Sequence, residues 1–291
     1  MQTPLKSPAD AARRCLLASA PALLFSRATA AGVLSALEAY ERQCGGRVGV
    51  YARNLASGAV LQWRAEERFV MCSTFKASLA ACVLARVDRQ QDHLDDPVAY
   101  GPGDLLEYAP VAREHVARGF LPLGRMCQAV VEISDNTCAN LLLDRIGGPP
   151  ALTAFWRSIG DTVTRLDHNE PEMNRSPPGD PHDTTTPMAM AASLRRLALG
   201  DALTTPMREQ LLGWMVNCRT GANRLRGGIP ATWKVADKTG NNGSDAAGDI
   251  ALVWPREGAP TVVCAYAQGG TPSDALLAST FAQIGRMVAA L

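Results

Sequence analysis

Three short stretches of the chain could together assemble a nucleophile, its proton partners and an anion clamp. Ser73-Thr74-Phe75-Lys76 opens the apolar helical run Phe75 to Val87. Serine and lysine three apart share one face of a helix, so the ammonium can reach the hydroxyl. A serine at a helix N-terminus also faces the positive end of the dipole, which favours an alkoxide-like nucleophile. Lysine is charged near neutral pH, so acting as a base requires desolvation or a coupled charge. Ser134-Asp135-Asn136 places a hydroxyl, a carboxylate and an amide in succession beside the helical stretch Gln128 to Ile133. On its own it is an ordinary N-cap signature. Lys238-Thr239-Gly240 ends the strand-like Thr232 to Asp237. A lysine and a hydroxyl there, beside a glycine that admits close backbone approach, suit a substrate carboxylate. Each motif alone is common. The chain has only four lysines (Lys6, Lys76, Lys234, Lys238) against 25 arginines, and two of the four fall in these motifs.

The elements that must bring the motifs together fall into two kinds. Ala31 to Gln43 is helical, with Val33, Leu34, Leu37 and Tyr40 on one face. Arg47 to Arg53 and Ala59 to Arg64 flank the turn Asn54-Leu55-Ala56-Ser57-Gly58 as a hairpin. From Phe69 to about Trp214 the signals are mostly helical, broken by Gly101-Pro102-Gly103, Gly147-Gly148-Pro149-Pro150 and Ser176-Pro177-Pro178-Gly179. Strand-like runs follow at Thr232 to Lys238, Asp249 to Trp254 and Thr261 to Ala267, then a closing helix from Asp274 to Ala290. The expected fold is α/β in the α+β sense: an antiparallel sheet flanked by N- and C-terminal helices, with an all-helical domain inserted between its strands. The expected boundaries are 31–66 and 215–291 for the sheet domain and 67–214 for the helical domain.

Composition narrows the function classes. With 47% hydrophobic and 20% charged residues over 291 positions, the chain is not collagen, coiled coil or disordered. A net charge of +1 gives no whole-chain attraction for nucleic acid or anionic membranes. Residues 1–30 read as a signal peptide: Arg13-Arg14, the apolar Cys15 to Phe25, and an A-x-A site at Ala28-Thr29-Ala30. The twin arginine is compatible with Tat export. The mature protein is therefore expected to be periplasmic or secreted, off the membrane and monomeric. Its seven cysteines are odd in number, with no C-x-x-C pair, and the four histidines form no H-x-H or H-E-x-x-H cluster. No metal and no cofactor is expected.

Taken in this order and spacing, the three motifs resemble a class A serine β-lactamase, and the resemblance runs from about Leu34 to Leu291. Glu170-Pro171-Glu172-Met173-Asn174 is similar to the E-x-x-x-N of the family's Ω loop, here residues 165–183, and Gly179 to Pro187 continues the likeness. A carboxylate and an amide four apart can hold one water between them, which supplies a general base for hydrolysing an acyl-enzyme. The resemblance implies that small-molecule β-lactams are the substrates. Ser73 would be the nucleophile, and Lys76 would couple its proton to Ser134 for the leaving nitrogen. Glu170 with Asn174 would activate the deacylating water. The oxyanion hole would be the N–H groups of Ser73 and Asn241. Asn136 would bind the side-chain amide; Lys238, Thr239 and Gly240 would form the carboxylate site; Tyr108 would flank the cleft mouth. A D,D-peptidase or a non-catalytic β-lactam sensor would share the three motifs, but not an efficient deacylating glutamate.

Several positions depart from the family pattern. Where some members carry an arginine nine residues after the motif lysine, this chain has Ala247; Thr220-Gly221-Ala222-Asn223-Arg224 matches the T-G-x-x-R segment of others, so Arg224 is the expected anchor. Cys72 resembles the carbapenem-hydrolysing members, but the position of its usual disulfide partner is Asn242. Cys127 likewise faces Ala80 in place of a partner cysteine, so no family disulfide is expected. Most members have an arginine where this chain has His168, ion-paired across the neck of the Ω loop to the equivalent of Asp183, and many have one in place of His182, near Asp180. Histidine titrates near pH 6.5 where arginine does not.

Overall fold

Strands from both ends of the chain meet in one sheet. The computed structural model describes residues 27–291 except Ser176 and Pro178. The expected signal features Arg13 to Phe25 lie outside the described residues, and Ala28 to Ala30 fall in the helix Arg27–Cys44. Strands β1 (Arg47–Asn54), β2 (Val60–Trp63), β3 (Lys234–Asn241), β4 (Ala246–Trp254) and β5 (Thr261–Gln268) pair antiparallel in the order β2-β1-β5-β4-β3. The order leaves β3, which carries Lys238-Thr239-Gly240, on an edge.

The central strands β4 and β5 are buried on both faces, and the period of two sorts their side chains. Ala251, Val253, Val263 and Ala265 face one way, with Leu37 and Tyr40 of the helix Arg27–Cys44 and Phe281 and Ile284 of the helix Asp274–Ala289. Ile250, Leu252, Val262, Cys264 and Tyr266 face the other way, into the helical layer with Phe75, Leu79, Leu142 and Trp156. The helix Phe75–Asp88 runs through that layer with every residue from Phe75 to Ala85 buried. A helix apolar nearly all round belongs in a core, and this one takes Lys76 inside with it.

The middle of the chain is less purely helical than its pattern suggests. Phe69–Val70 pairs with Thr184–Thr185, and Pro97–Ala99 with Phe120–Pro122. Ladders of two and three residues are too short for periodicity to reveal. The first ties the approach to Ser73 to the far end of the Ω loop.

Asp135 sets the second motif in place. It caps the helix Asn136–Ile146, its Oδ1 accepting from the N–H of Cys138 at 2.9 Å. Its Oδ2 accepts from Val111 N at 2.9 Å and Ala112 N at 3.0 Å. One fully buried carboxylate thus serves three backbone donors from two elements. Asp135→Ala should lower the unfolding free energy in a urea titration by about 3 kcal/mol, because those donors lose their acceptor inside the core. Asp135→Asn, which keeps one acceptor oxygen, should lose less.

Candidate active site

Ser73 sits in the 3-10 turn Cys72–Thr74 that leads into the helix Phe75–Asp88. Cys72 just before it has φ +43°, and Ser134 has φ +68°. Side chains rarely occupy that region, so both stretches hold strained backbone at chemically important positions. Ser73 Oγ donates to Glu170 Oε1 at 3.2 Å. The Lys76 ammonium lies 2.9 Å from the same oxygen and donates to Ser134 O at 3.0 Å and Asn136 Oδ1 at 2.5 Å. No hydrogen bond joins Ser73 to Lys76, contrary to the shared-face expectation. Ser73 belongs to the 3-10 turn, and the buried ammonium turns to the carboxylate that neutralises it. Ser134 Oγ accepts from Lys76 Nζ at 3.4 Å and Lys238 Nζ at 3.1 Å. With two ammonium groups donating to it, its own proton is left to point into the cleft. Burial, together with the charge of Lys76, brings the Lys238 ammonium down to about 8.

Glu170 is buried and fully partnered. Burial alone would raise its pKa, but the Lys76 charge and the hydrogen bonds from Lys76, Asn174 and Ser73 hold it below the ordinary carboxylate value. Asn174 Nδ2 donates to Glu170 Oε2 at 2.6 Å, while Asn174 Oδ1 is buried with no partner among the described residues. Asn140 clamps the Glu170 backbone from the helix Asn136–Ile146: Nδ2 donates to Glu170 O and Oδ1 accepts from Glu170 N, both at 2.9 Å. Motif reading missed Asn140, although it lies one helical turn after Asn136.

The β3 edge forms the opposite wall. A Cβ on Gly240 would stand 2.7 Å from Ser73 N and 2.9 Å from Thr74 N, so only glycine lets the strand pass there. Asn242 N donates to Ala246 O at 3.1 Å. Ladder alternation then turns the Asn241 N–H away from β4, on the side of Ser73. Thr239 Oγ1 lies 2.5 Å from Thr220 Oγ1, linking β3 to the segment that carries Arg224. Arg224 lines the cleft; its guanidinium lies 5.5 Å from the Phe281 ring and its Nε is buried without a partner among the described residues. Tyr108 is half exposed at the mouth and donates to Ile133 O at 3.1 Å. The cleft measures about 700 Å³ and includes Ser73, Ser134, Asn136, Glu170 and Thr239 in its lining.

The departures have structural counterparts. Ala247 is buried and offers no charge, and Arg224 lines the cleft. The seven cysteines from Cys44 to Cys264 are buried free thiols. Asn242 uses its side chain to brace the β3–β4 turn, Oδ1 accepting from Ser244 N at 3.0 Å, Asp245 N at 3.1 Å and Ala246 N at 3.0 Å.

One buried serine donating to a carboxylate that is itself paired with an ammonium group, and a second serine accepting from two ammonium groups, beside outward backbone N–H groups, are the parts of a serine hydrolase site. Known proteins similar to the chain sharpen that class. The model of the family described as "Beta-lactamase enzyme family" matches residues 33–291. β-Lactamase L2 of Stenotrophomonas maltophilia is 49% identical over 89% of this chain and 84% of its own. The carbapenem-hydrolysing β-lactamase KPC of Klebsiella oxytoca is 46% identical over 80% of each. The solved structure of an ancestral class A β-lactamase of Gram-negative bacteria superimposes with a TM-score of 0.85 at 50% identity, covering 88% of this chain and 98% of that one. The chain belongs to the β-lactamase enzyme family, in its class A branch.

The neck of the Ω loop is fastened by groups that titrate. Buried Asp183 accepts from Asp167 N at 2.7 Å and His168 N at 3.0 Å through Oδ1, and lies 2.6 Å from His168 Nδ1 through Oδ2. His182 Nδ1 lies 2.5 Å from Asp180, and the two histidine rings meet edge to face at 5.9 Å. The hydrogen bond to Asp183 raises the His168 pKa; slight burial opposes it, and the charges of Asp183, Asp167 and Asp180 reinforce it. With the folded pKa above the unfolded one, this stabilisation is complete below about pH 6.5 and fades as pH rises through the folded value. His168 is half exposed, so the effect should be under about 1 kcal/mol. Hydrogen exchange across the Ω loop, corrected for intrinsic rates, should show protection falling between about pH 5.5 and 8. His168→Arg should flatten the fall; equal protection at both ends of the range would show that the histidines do not fasten the neck.

Proposed function

We propose that the protein hydrolyses β-lactam antibiotics through an acyl-enzyme on Ser73, deacylated by water that Glu170 activates. The observation that carries this reading is Glu170 itself, buried between Ser73 and Asn174 while ion-paired to Lys76. Ser73 Oγ attacks the lactam carbonyl and gives its proton to Glu170 Oε1, the acceptor it already contacts. The oxyanion is held by the N–H groups of Ser73 and Asn241. Ser134, whose oxygen already accepts from both lysines, passes its proton to the leaving nitrogen as the C–N bond breaks and is resupplied by Lys76, which takes the Ser73 proton from Glu170 and so restores the carboxylate. Lys238, Thr239 and Arg224 hold the ring carboxylate, with Gly240 letting β3 approach Ser73 closely enough. Asn136, whose Oδ1 is taken by Lys76, offers its N–H₂ to the carbonyl of the substrate's side-chain amide. Tyr108 bounds the mouth. A water held between the Glu170 carboxylate and the unpartnered Asn174 Oδ1 then gives a proton to Glu170 and attacks the ester carbonyl; the bond to Ser73 Oγ breaks and that oxygen takes the proton from Glu170, releasing the opened product acid. Arg13-Arg14 and the apolar Cys15 to Phe25 support export to the periplasm or medium as the setting.

Repeated turnover of a chromogenic cephalosporin supports this reading, whereas one stoichiometric burst would indicate a D,D-peptidase or a sensor. Glu170→Ala and the isosteric Glu170→Gln should accumulate a Ser73-linked adduct in intact-mass spectra, since the nucleophile survives while water activation is lost. Wild-type turnover by both variants would remove Glu170 from the deacylation step. Arg224→Ala should mainly raise KM, because a cationic anchor acts on ground and transition states alike. Unchanged kcat/KM would return Arg224 to the surface.

A further inference from the structure

Besides Arg224, the lining of the cleft includes one other arginine, Arg175. Arg175 directly follows Asn174, whose amide rests on Glu170, and it lines the cleft from the Ω-loop side. It is exposed, and its side chain makes no hydrogen bond or ion pair among the described residues; Glu172, three positions earlier, is exposed and forms no ion pair with it. Glu170 is the one carboxylate among the described residues lining the cleft, and it is already paired with Lys76. Arg224 and Arg175 therefore leave positive potential at two ends of a concave site with nothing inside to cancel it, and low-dielectric walls focus such a field.

A bound β-lactam brings one anion, the ring carboxylate, to Lys238, Thr239 and Arg224. Its side-chain amide lies at Asn136, so the acyl substituent beyond that amide runs between Asn174–Arg175 on one rim and Asn242–Ser244 on the other. Asn242 is committed to bracing its own turn, so Arg175 is the charged group free to meet the substituent. Resting on the hydrolase reading above, we propose that Arg175 makes the enzyme prefer dianionic β-lactams, whose acyl side chain carries a second carboxylate or sulfonate.

The test compares a phenylacetyl penicillin with its α-carboxy analogue, through the ratio of their kcat/KM values. Arg175→Gln should lower the analogue's share roughly two- to fivefold, the range of an exposed charge pair. Arg175→Glu should lower it further and Arg175→Lys should hold it. High salt should compress the wild-type preference toward that of Arg175→Gln. A merely structural role would change both substrates alike and leave the ratio fixed. A ratio unmoved by both Arg175→Gln and Arg175→Glu, with both penicillins turned over, overturns the inference alone. A single burst without turnover from either penicillin overturns the hydrolase reading and the inference with it.

Discussion

The ion pair between Lys76 and Glu170 is the constraint on which the rest of the structure turns. Both side chains are buried, at 0% and 1% exposure. An ionised group left alone in such a place costs about 3–5 kcal/mol, so neither can stay charged inside without the other. Yet their backbones come from distant parts of the chain. Lys76 rides on the most deeply buried helix, whereas Glu170 belongs to a loop with little regular structure. A loop carboxylate reaches that depth only if its backbone polar groups find partners there. Asn140 serves both of them, Asn174 holds the free carboxylate oxygen, and Asp183 draws the loop's two ends together.

The pair also explains the division of labour between the two lysines. Lys76 has Glu170 beside it, at 2.9 Å in the core. Lys238 has no carboxylate in direct contact among the described residues, and burial lowers its pKa toward neutrality. On the proposed reading, the anion that Lys238 would meet at the edge of β3 is a substrate carboxylate. The edge strand is suited to this task because its outer N–H groups are not used by the sheet. Gly240 brings those groups against the turn that holds Ser73.

Much of this was legible in the sequence because chemistry and periodicity coincide there. The five sheet strands and both terminal helices follow from alternation and apolar runs, and they form with ends shifted by a few residues. Ser73, Lys76, Ser134, Glu170 and Lys238 stand out because their types and spacing are rare together in a chain with four lysines. What could not be read was long-range partnership. Spacing put Lys76 on Ser73, but the ammonium's choice depends on a carboxylate 94 positions away that no local pattern links to it. Asn140 looked like any polar residue on a helix, since its partners are backbone atoms, which carry no signature of residue type. The ladder Phe69–Val70 with Thr184–Thr185 was too short to signal itself, although it joins the approach to Ser73 to the Ω loop.

The strained positions show how the fold sustains such a site. Cys72 and Ser134 hold backbone angles that cost of order 1–3 kcal/mol each. Each lies beside an element that removes the alternatives. Cys72 is packed with Val70 and Ala246 and followed by a helix locked in the core. Ser134 is followed by Asp135, whose three backbone contacts tie the turn to Val111 and Ala112 of a neighbouring helix and to the start of the helix Asn136–Ile146. Relaxing either turn would move a hydroxyl away from the ammonium or carboxylate it now faces. The pair of buried charges would then lose partners that help to offset its desolvation. Strain in the backbone and satisfaction of the charges are thus two sides of one arrangement, and the apolar helix beneath them makes the arrangement rigid enough to persist.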